Sequence, residues 1–506
     1  MFRLARQRAD NLQIERAMPE STSSITVVND RQLRFSVPAD VHCISTFVLL
    51  EQSRWFEKEI DFIYRYAASG MTALDIGANI GAYTLPLAQL VGPEGRVVAY
   101  EPGAISRQHL EQSLAMNHCD NVTVSGAALS DFGGEGWLKI EKSAELNQLV
   151  ANHTATDAVE SVKVTTLDME LDKFDWAQVD FVKIDAEGQE TAIVNGGQNF
   201  FERYSPLILF EINHDSVINH GLIEALQALG FGTYRLLGDG SLLVPAERLD
   251  KMDYFEVNLF AARPEQARRL ADRGLLARPG ALPELSDEER GESVASYCRL
   301  PFAQTLEIDA TDIDQCPFGE ALVTYAAYRY STTLAPDRRL ALLQRAYEEL
   351  ASYCEVSHSV AALSSLARVA DDLGHRGIAV EVLTHILDTE SFDPDEPFFP
   401  PSPQFDDDEQ AAADGWFARA AKEALETRSY VSTCCGHDMS RLEWLAGQET
   451  ASDSIIKRLI LIRMYFGRPA DQVRDLLTRL QARKGEGHSV WCETVRSLIV
   501  DGGQVR

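Results

Sequence analysis

The sequence predicts two folded parts, an α/β layered sheet followed by an all-helical region. The chain has 506 residues, and a single hydrophobic core rarely grows beyond about 250 residues. From about residue 24 to residue 263, short runs of β-branched and aromatic residues alternate with helical patterns, as parallel strands joined by crossover helices do. Beyond residue 300, helical patterns follow one another and no strand is evident.

Residue type and periodicity predict the elements of the first part. We expect strands where β-branched and aromatic runs end at turn residues, and helices where apolar residues recur at helical spacing. The predicted strands are Thr72–Ile76, Val97–Glu101, Val122–Ser125, Phe181–Asp185, Leu207–Ile212, Tyr234–Leu237 and Val257–Ala261. The predicted helices are Thr84–Leu90, Arg107–Asn117, Glu190–Phe201 and Leu222–Leu229.

A segment with proline and glycine marks the boundary between the two parts. Residues 278–283 read Arg-Pro-Gly-Ala-Leu-Pro and lead into an acidic, polar stretch, which is typical of a linker. The predicted division is an N-terminal extension (1–23), an α/β domain (24–263), a linker (264–290) and a helical domain (291–506). The predicted helices of the last domain are Glu320–Tyr330, Asp337–Tyr353, Ser359–Leu373, Ile378–Thr389, Glu409–Thr427, Asp453–Phe466 and Ala470–Arg483.

One helical pair resembles a degenerate tetratricopeptide repeat. Leu373 and Gly374 stand at its turn, and Ala379 and Leu383 occupy positions where the repeat has a small and then a large residue. Ala346 precedes Ala379 by close to one repeat period, roughly 34 residues. Other signature positions are missing, so a generic helical hairpin is an equal alternative.

The composition favours a soluble, cytoplasmic protein that does not bind nucleic acid. The 45% hydrophobic and 25% charged residues are typical of globular proteins, and no apolar run approaches the roughly 20 residues of a membrane span. The first residues lack the apolar stretch of a secretory signal. The eight cysteines have neither Cys-x-x-Cys nor zinc-site spacing, so we expect reduced thiols. A net charge of -30 repels phosphate-rich partners.

The strongest chemical signal is a strand followed by a glycine-containing turn and a helix, Leu-Asp-Ile-Gly-Ala-Asn-Ile-Gly-Ala-Tyr-Thr at residues 74–84. Gly77 and Gly81 permit positive φ and close approach to a ligand, and the helix N-terminus offers free N–H groups. Glu101 ends the next strand, where an acid can bind both ribose hydroxyls. Asn79 replaces the middle glycine of a dinucleotide-binding turn, so the pattern favours S-adenosylmethionine over NAD.

With these motifs the chain resembles the FkbM-type methyltransferases, a branch of the Rossmann-like class I methyltransferases. Three blocks carry the resemblance: Asp-Ile-Gly-Ala-Asn-Ile-Gly at 75–81, Ala-Leu-Ser-Asp at 128–131 and Lys-Ile-Asp-Ala-Glu-Gly at 183–188. The resemblance spans about residues 30 to 263 and does not reach the helical region. It implies a Rossmann-like sheet with helices on both faces, and methyl transfer from S-adenosylmethionine to a hydroxyl of a carbohydrate or natural product.

The resemblance also implies roles for single residues. Glu101 would bind the ribose, and Ser130 with Asp131 the adenine edge. The expected donor-binding residues are Asp75, Gly77, Ala78, Asn79, Gly81, Thr84, Glu101, Ser130, Asp131 and Asp185.

Asp185 and Glu187 follow the predicted fourth strand of the sheet, and ligands of open α/β sheets bind outside the carboxyl ends of strands. Methyl transfer gains most of its rate from alignment in a polar site, with a base taking the hydroxyl proton late. We expect Asp185 or Glu187 to be this base, beside Lys183, with His214 as a competing base because imidazole titrates near neutral pH. Alternatively, Lys183 and Asp185 only pair with each other and Glu190 faces solvent.

Further alternatives concern a metal ion and the segment before the nucleotide motif. We expect no metal, although a divalent cation would suit convergent oxygen and imidazole ligands. The candidate ligands are Asp185, Glu187, Glu211, His214 and Asp215. Residues 55–57, Trp-Phe-Glu, either cap the cofactor or only begin a helix.

The expected partner is a small-molecule or glycan acceptor. In an alternative reading the helical region binds a protein partner or self-associates, because helical arrays present concave surfaces, and the methyltransferase then modifies a protein or a carrier-bound chain. An NAD-dependent enzyme is the weakest alternative.

Overall fold

A computed structural model describes most of the chain, and the residues outside it include Asp215 and the Cys434–Cys435 pair. The described residues are 23–141, 147–150, 158–173, 176–214, 217–246, 252–253, 255–389, 394, 396–429, 439–483 and 487–499. Among them, six cysteines are free thiols, and no helix is both long and apolar enough to cross a membrane.

The strands among the described residues all lie before residue 263. They are β1 (Ser24–Val28), β2 (Arg34–Pro38), β3 (Thr72–Ile76), β4 (Arg96–Tyr100), β5 (Val122–Ser125), β6 (Ala128–Leu129), β7 (Gly134–Lys139), β8 (Gln148–Val150), β9 (Val159–Thr165), β10 (Phe181–Ile184), β11 (Leu207–Glu211), β12 (Asn213–His214), β13 (Val217–Ile218), β14 (Gly232–Leu236), β15 (Leu243–Pro245) and β16 (Asn258–Ala262).

Helices occur in both halves. Those of the first half are α1 (Ile44–Gln52), α2 (Glu59–Tyr66), α3 (Thr84–Val91), α4 (Ala104–Met116), α5 (Leu167–Lys173), α6 (Glu190–Asn195), α7 (Gln198–Tyr204), α8 (His220–Ala228) and α9 (Pro264–Asp272). Those of the second half are α10 (Asp287–Cys298), α11 (Pro301–Thr305), α12 (Ala310–Gln315), α13 (Gly319–Tyr330), α14 (Pro336–Val356), α15 (Val360–Leu373), α16 (Arg376–Asp388), α17 (Trp416–Ser429), α18 (Ser440–Gly447), α19 (Asp453–Tyr465), α20 (Ala470–Gln481) and α21 (His488–Ser497).

The main sheet confirms the predicted α/β layer. Its eight strands lie in the order β15-β14-β16-β11-β10-β3-β4-β5. The pairings from β11 to β5 are parallel, and β16 runs antiparallel to both β11 and β14. Both faces are covered, because Leu74 and Ile76 belong to a core with residues of α6, α7 and α8, whereas Ala73 belongs to one with residues of α2, α3 and α9. Each of the seven predicted strands corresponds to a strand of this sheet.

The sequence prediction missed three smaller β-structures, of which the antiparallel pair of β12 and β13 is the shortest. β1 and β2 pair as an antiparallel hairpin before the main sheet. Between β5 and β10 the chain forms a four-stranded sheet in the order β6-β9-β7-β8. β6 and β8 have only two and three residues, and Gly134 and Gly136 interrupt the alternation of β7. β9 does carry β-branched residues, at 159, 162, 164 and 165, and the prediction overlooked them. The predicted helix Glu190–Phe201 is two helices, α6 and α7, separated by Gly196 and Gly197.

The segment predicted as a linker, 264–290, contains structure. α9 packs against β16, and Leu275, Leu276 and Ala277 are buried, so residues 264–277 extend the first half. At the other end, Ser286 and Glu289 form a reciprocal capping box that begins α10. Residues 273–286 lie outside helices and strands, and the domain boundaries stay a prediction.

The described residues beyond 300 form helices, as the sequence predicts. α15 ends at Gly374, whose φ of 89° is in the left-handed region, and α16 returns to pack against α15. Ala346 and Ala379 are both fully buried. The pair is a helical hairpin with its turn where the sequence places it, and the tetratricopeptide assignment stays a prediction.

The helical half packs directly against the sheet. Gly238, after β14, donates its N–H to the carbonyl oxygen of Asp372 at 2.9 Å, and the Tyr328 hydroxyl donates to Asp239 Oδ2 at 2.7 Å. Arg235 Nη1 donates to the carbonyl oxygen of Leu373 at 2.7 Å. A Cβ on Gly238 would lie 1.6 Å from the carbonyl oxygen of Asp371, so only glycine allows the two halves this close.

The last helices return to the N-terminal hairpin. Arg458 of α19 forms a buried ion pair with Glu51 of α1 and donates to the carbonyl oxygen of Glu426 at 2.8 Å. Trp491 of α21 donates its indole N–H to the carbonyl oxygen of Leu50 at 2.8 Å. These contacts join both ends of the described chain in one hydrophobic core.

We expect Gly238→Ala to lower the free energy of unfolding by about 1 to 3 kcal/mol, the usual cost of forcing extra atoms into a packed site. Chemical denaturation followed by circular dichroism measures this change. Gly291→Ala is the matched control, because Gly291 lies in α10 with open space around it, and alanine there should be neutral or stabilising. Equal stability of the two variants would show that the contact between Gly238 and Asp371 can widen without a loss of free energy of unfolding.

Candidate active site

A cavity of about 260 Å³ lies at the carboxyl ends of β3 and β10. These neighbouring strands stand where the strand order reverses, because the chain proceeds from β3 towards β5 on one side and from β10 to β11 on the other. Open α/β sheets bind ligands at such a switch point. The site predicted from the strand-end motifs therefore coincides with a real cavity.

The turn after β3 brings the backbone close to this cavity. Gly77, Asn79 and Gly81 have φ values of 78°, 47° and 96°, which favour glycine and are tolerated by asparagine. Gly77 donates its N–H to the carbonyl oxygen of Tyr100 at 3.0 Å. A Cβ on Gly77 would lie 1.7 Å from the carbonyl oxygen of Asp185. Glycine at 77 is thus a packing requirement between β3 and β10.

Glu101 is fixed at the end of β4 by two backbone donors. Its Oε2 accepts the N–H of Asn79 and its Oε1 the N–H of Gly103, each at 2.8 Å. Burial raises the pKa of this carboxyl to about 7, although both hydrogen bonds and nearby Arg107 act to lower it. Each oxygen keeps a second lone pair for a ligand in the cavity that Glu101 lines.

A buried lysine joins the two central strands. Lys183 Nζ lies 2.9 Å from Asp185 Oδ2 and 4.0 Å from Asp75 Oδ1. Burial opposes the charge of Lys183, but the carboxylates of Asp185 and Asp75 outweigh it and raise the pKa of the lysine. The Thr84 hydroxyl donates to Asp75 Oδ2 at 2.6 Å, whereas Oδ1, also buried, accepts no hydrogen bond from the described residues. The pairing of Lys183 with Asp185 is present, as the alternative interpretation expected.

The turn after β10 is stabilised by the side chain of Glu190, at the start of α6. Glu187 and Gly188 have φ values of 49° and 92°. Glu190 Oε1 accepts the N–H groups of Ala186 and Gly188, both at 3.0 Å, and the Glu190 side chain is buried. The expectation that Glu190 faces solvent is wrong, because the turn needs this carboxylate as its acceptor.

Three of the five candidate metal ligands come together. Carboxylate oxygens of Asp185, Glu187 and Glu211 lie within 4.8 Å of one another. The side chain of His214 and all of Asp215 lie outside the described residues. The expectation that the site needs no metal stays a prediction.

The segment before α2 forms another wall of the cavity. Trp55, Phe56 and Glu57 all line it. Glu57 Oε2 accepts hydrogen bonds from Tyr83 Oη at 2.5 Å and from Trp55 Nε1 at 3.1 Å. Residues 55–57 thus lie over the site and also precede a helix.

The structure brings most of the predicted residues together, but not all of them. Ser130 is buried and donates its hydroxyl to Gln189 Oε1 at 3.0 Å. The predicted residues that line the cavity are Asp75, Gly77, Ala78, Asn79, Glu101, Lys183, Asp185 and Glu187. Those outside its lining are Gly81, Thr84, Ser130 and Asp131.

The sequence prediction missed further lining residues. Leu138, Asn147 and Leu149 come from the four-stranded sheet and its connections. Phe255 and Arg376 come from opposite sides of the junction between the halves, with Arg376 Cζ 4.5 Å from the centre of the Phe255 ring. Arg376 Nε donates to the carbonyl oxygen of Arg428 at 2.9 Å. No local motif marks Arg376, because only tertiary packing brings the start of α16 to this cavity.

Comparisons with known structures give distant matches. Methyltransferase FkbM from Methylobacillus flagellatus KT is 17% identical with a TM-score of 0.28, and the match covers 39% of this chain and 47% of that chain, about half its length. An O-methyltransferase from Bacillus cereus in complex with SAH is 13% identical, with 41% and 79% covered and a TM-score of 0.24. Aeropyrum pernix fibrillarin with bound S-adenosyl-L-methionine is 12% identical, with 48% and 85% covered and a TM-score of 0.26. A comparison with curated protein sequences gives no significant match.

We infer the class of protein from the strand order, the cavity and the sequence, because the matches to solved structures are too distant to support an inference. The parallel strands with antiparallel β16, the glycine turn and the strand-end acid define a Rossmann-like domain of the S-adenosylmethionine-dependent methyltransferase class. In particular, the profile of the methyltransferase FkbM domain matches residues 75–232. The chain therefore contains an FkbM methyltransferase domain.

We expect Gly77→Ala to be strongly destabilising for two reasons. A Cβ at position 77 would lie 1.7 Å from the carbonyl oxygen of Asp185, just after β10, and the alanine would have to adopt a positive φ. Gly230→Ala is the matched control, since Gly230 also has positive φ but has open space around it. The left-handed conformation alone costs an alanine about 1 to 2 kcal/mol. The free energy of unfolding of Gly77→Ala should fall below that of the control by about 2 kcal/mol or more. Equal losses would mean that strands β3 and β10 separate freely.

Proposed function

We propose that this protein transfers the methyl group of S-adenosylmethionine to a hydroxyl of a carbohydrate or natural-product acceptor. The observation that carries the proposal is the cavity between Glu101, at the end of β4, and Asp185, after β10. A nucleoside on Glu101 would direct the rest of the donor along the Gly77 turn towards Asp185. The match to an FkbM methyltransferase domain supports the same reaction.

The residues present fit this donor. The carboxylate of Glu101 suits the two ribose hydroxyls, and Leu129, Leu138 and Leu149 offer apolar surface to the adenine. Asp75 Oδ1, which is buried and accepts no hydrogen bond from the described residues, suits the ammonium group of the methionine part, because a buried acceptor without a partner gains most from a charged donor. Ala78 and Asn79 line the part of the cavity between Glu101 and Asp75 that the donor would occupy. Gly81 and Thr84 do not line the cavity, and would act by supporting the turn that does.

The acceptor side combines rings with charged groups. Phe56 and Phe255 offer flat apolar surface, and Glu187, Glu211 and Arg376 offer hydrogen-bonding groups that suit hydroxyls. When bound, S-adenosylmethionine would supply a methyl group on a positively charged sulfur. The acceptor oxygen would attack the methyl carbon in line with the carbon–sulfur bond, and the sulfur would leave. The contribution of the protein is to align the hydroxyl and to exclude water.

The donor site is tested by calorimetry with S-adenosylhomocysteine. We expect Glu101→Gln to weaken binding about tenfold to a hundredfold, because a hydrogen bond to a charged acceptor is worth about 1.5 to 3 kcal/mol. Wild-type affinity should fall as the pH drops through 7, the pKa of Glu101, since protonation removes the acceptor. This pH dependence should vanish in Glu101→Gln.

Exposed Glu94 gives the control, and Glu94→Gln should bind as the wild type does. Absence of binding to the wild-type protein at every pH would contradict the proposed donor.

The acceptor is tested by mass spectrometry of a carbohydrate and natural-product pool incubated with isotopically labelled S-adenosylmethionine. We expect one labelled product class, with the methyl group on oxygen. Arg376→Gln should raise the acceptor KM about tenfold, for loss of one hydrogen bond to a charged group, and leave the affinity for S-adenosylhomocysteine unchanged. Exposed Arg474 gives the control Arg474→Gln. Label on nitrogen or protein instead would contradict the proposal.

A further inference from the structure

The acceptor side of the cavity holds four carboxylates, Glu57, Asp185, Glu187 and Glu211. A general base needs an oxygen that reaches the cavity, a fixed orientation and a pKa near the working pH. Asp185 and Glu57 differ in their hydrogen-bond partners, and this difference separates their roles.

Asp185 is already committed to a cation. Its Oδ2 lies 2.9 Å from Lys183 Nζ, and the surrounding carboxylates keep that lysine protonated by raising its pKa. The partner of Asp185 is thus a cation, whereas the hydrogen bonds to Glu57 come from the uncharged Tyr83 hydroxyl and Trp55 indole.

Glu57 is oriented without a paired cation. Oε2 accepts both hydrogen bonds, from the Tyr83 hydroxyl and the Trp55 indole, and among the described residues no hydrogen bond reaches Oε1. Because two rings from different parts of the chain hold one oxygen, the other is fixed in position. Glu57 lines the same cavity as Lys183 and Asp185.

The surroundings of Glu57 also favour proton uptake. Burial raises its pKa, and the negative charge of Asp185 raises it further. Lys183 and the two hydrogen bonds act to lower the pKa, while Glu59 is a further acidic neighbour. When two carboxylates of one site lie in such different environments, the one whose proton affinity is raised is the better acid–base group.

We propose that Glu57 is the general base of methyl transfer, accepting the proton of the acceptor hydroxyl on Oε1. This inference rests on the proposed function. As the acceptor oxygen forms its bond to the methyl carbon, the carbon–sulfur bond breaks and its electron pair remains on sulfur. The oxygen–hydrogen bond breaks at the same stage, and the proton moves to Glu57, which is later deprotonated by water.

The test compares Glu57→Gln with Asp185→Asn in the full chain, using the labelled methyl donor and the acceptor pool above. We expect Glu57→Gln to lower kcat about 100- to 10,000-fold, the usual contribution of a general base, and to bind S-adenosylhomocysteine as the wild type does. The wild-type rate should rise with pH through the pKa of Glu57, because the base must be ionised, and Glu57→Gln should lose this rise. Glu57→Asp should restore part of the rate, and exposed Glu224 gives the control Glu224→Gln.

A second measurement needs no acceptor. S-adenosylmethionine carries a sulfur charge that S-adenosylhomocysteine lacks, and a cation beside Glu57 lowers its pKa. Calorimetry in buffers of different ionisation enthalpy should therefore show more proton release with S-adenosylmethionine, and Glu57→Gln should abolish the difference.

A kcat of Glu57→Gln equal to that of the wild type would overturn the inference. A loss of rate matched by an equal loss of S-adenosylhomocysteine affinity would also overturn it, because that result would assign Glu57 to donor binding. If the pool takes no label, equal proton release in the wild type and Glu57→Gln overturns it. Failure of the wild-type protein to bind S-adenosylhomocysteine is a different result, because it removes the proposed function itself.

Discussion

The contact between Gly77 and the carbonyl oxygen of Asp185 sets the geometry on which the rest of the site depends. Two parallel strands can end this close together only if one of them has no side chain at that point, and the clash distance of 1.7 Å leaves no room for relaxation. Because β3 and β10 meet here, the turn at 77–81 and the turn at 185–190 open into one cavity. The buried Lys183 between Asp75 and Asp185 then balances the acids that this approach brings together.

The two ends of the cavity orient their carboxylates with different groups. At the end of β4, backbone N–H groups orient the carboxylate of Glu101. At the other end, side chains do the orienting, since Tyr83 and Trp55 hold Glu57 while Lys183 holds Asp185. Fixed dipoles and charges of this kind need no rearrangement during reaction, which is how polar sites lower barriers. The helical half adds Arg376 to the same cavity.

The sequence predicted the central sheet well because parallel strands buried on both faces are continuous apolar runs, as in Val97 to Tyr100 or Leu207 to Phe210. The glycine turn and Glu101 were predictable for a similar reason, since their spacing is local. Helix α10 was missed because its first turn is acidic, although Ser286 followed by Glu289 is a recognisable capping box. Residues 55–57 could be singled out from the sequence, but the hydrogen bond from Tyr83 that orients Glu57 could not. Arg376 carries no local signal of its place in the cavity, because only tertiary packing brings the start of α16 there.

The meeting of the last helices with the first strands has a consequence for synthesis. Leu50 and Glu51 emerge from the ribosome long before their partners Trp491 and Arg458. Until then α1 lacks these partners, although α4 of the first half can already cover β2. The packing of this core is therefore completed only once α19 and α21 have been made, and the growing chain exposes apolar surface to which chaperones can bind.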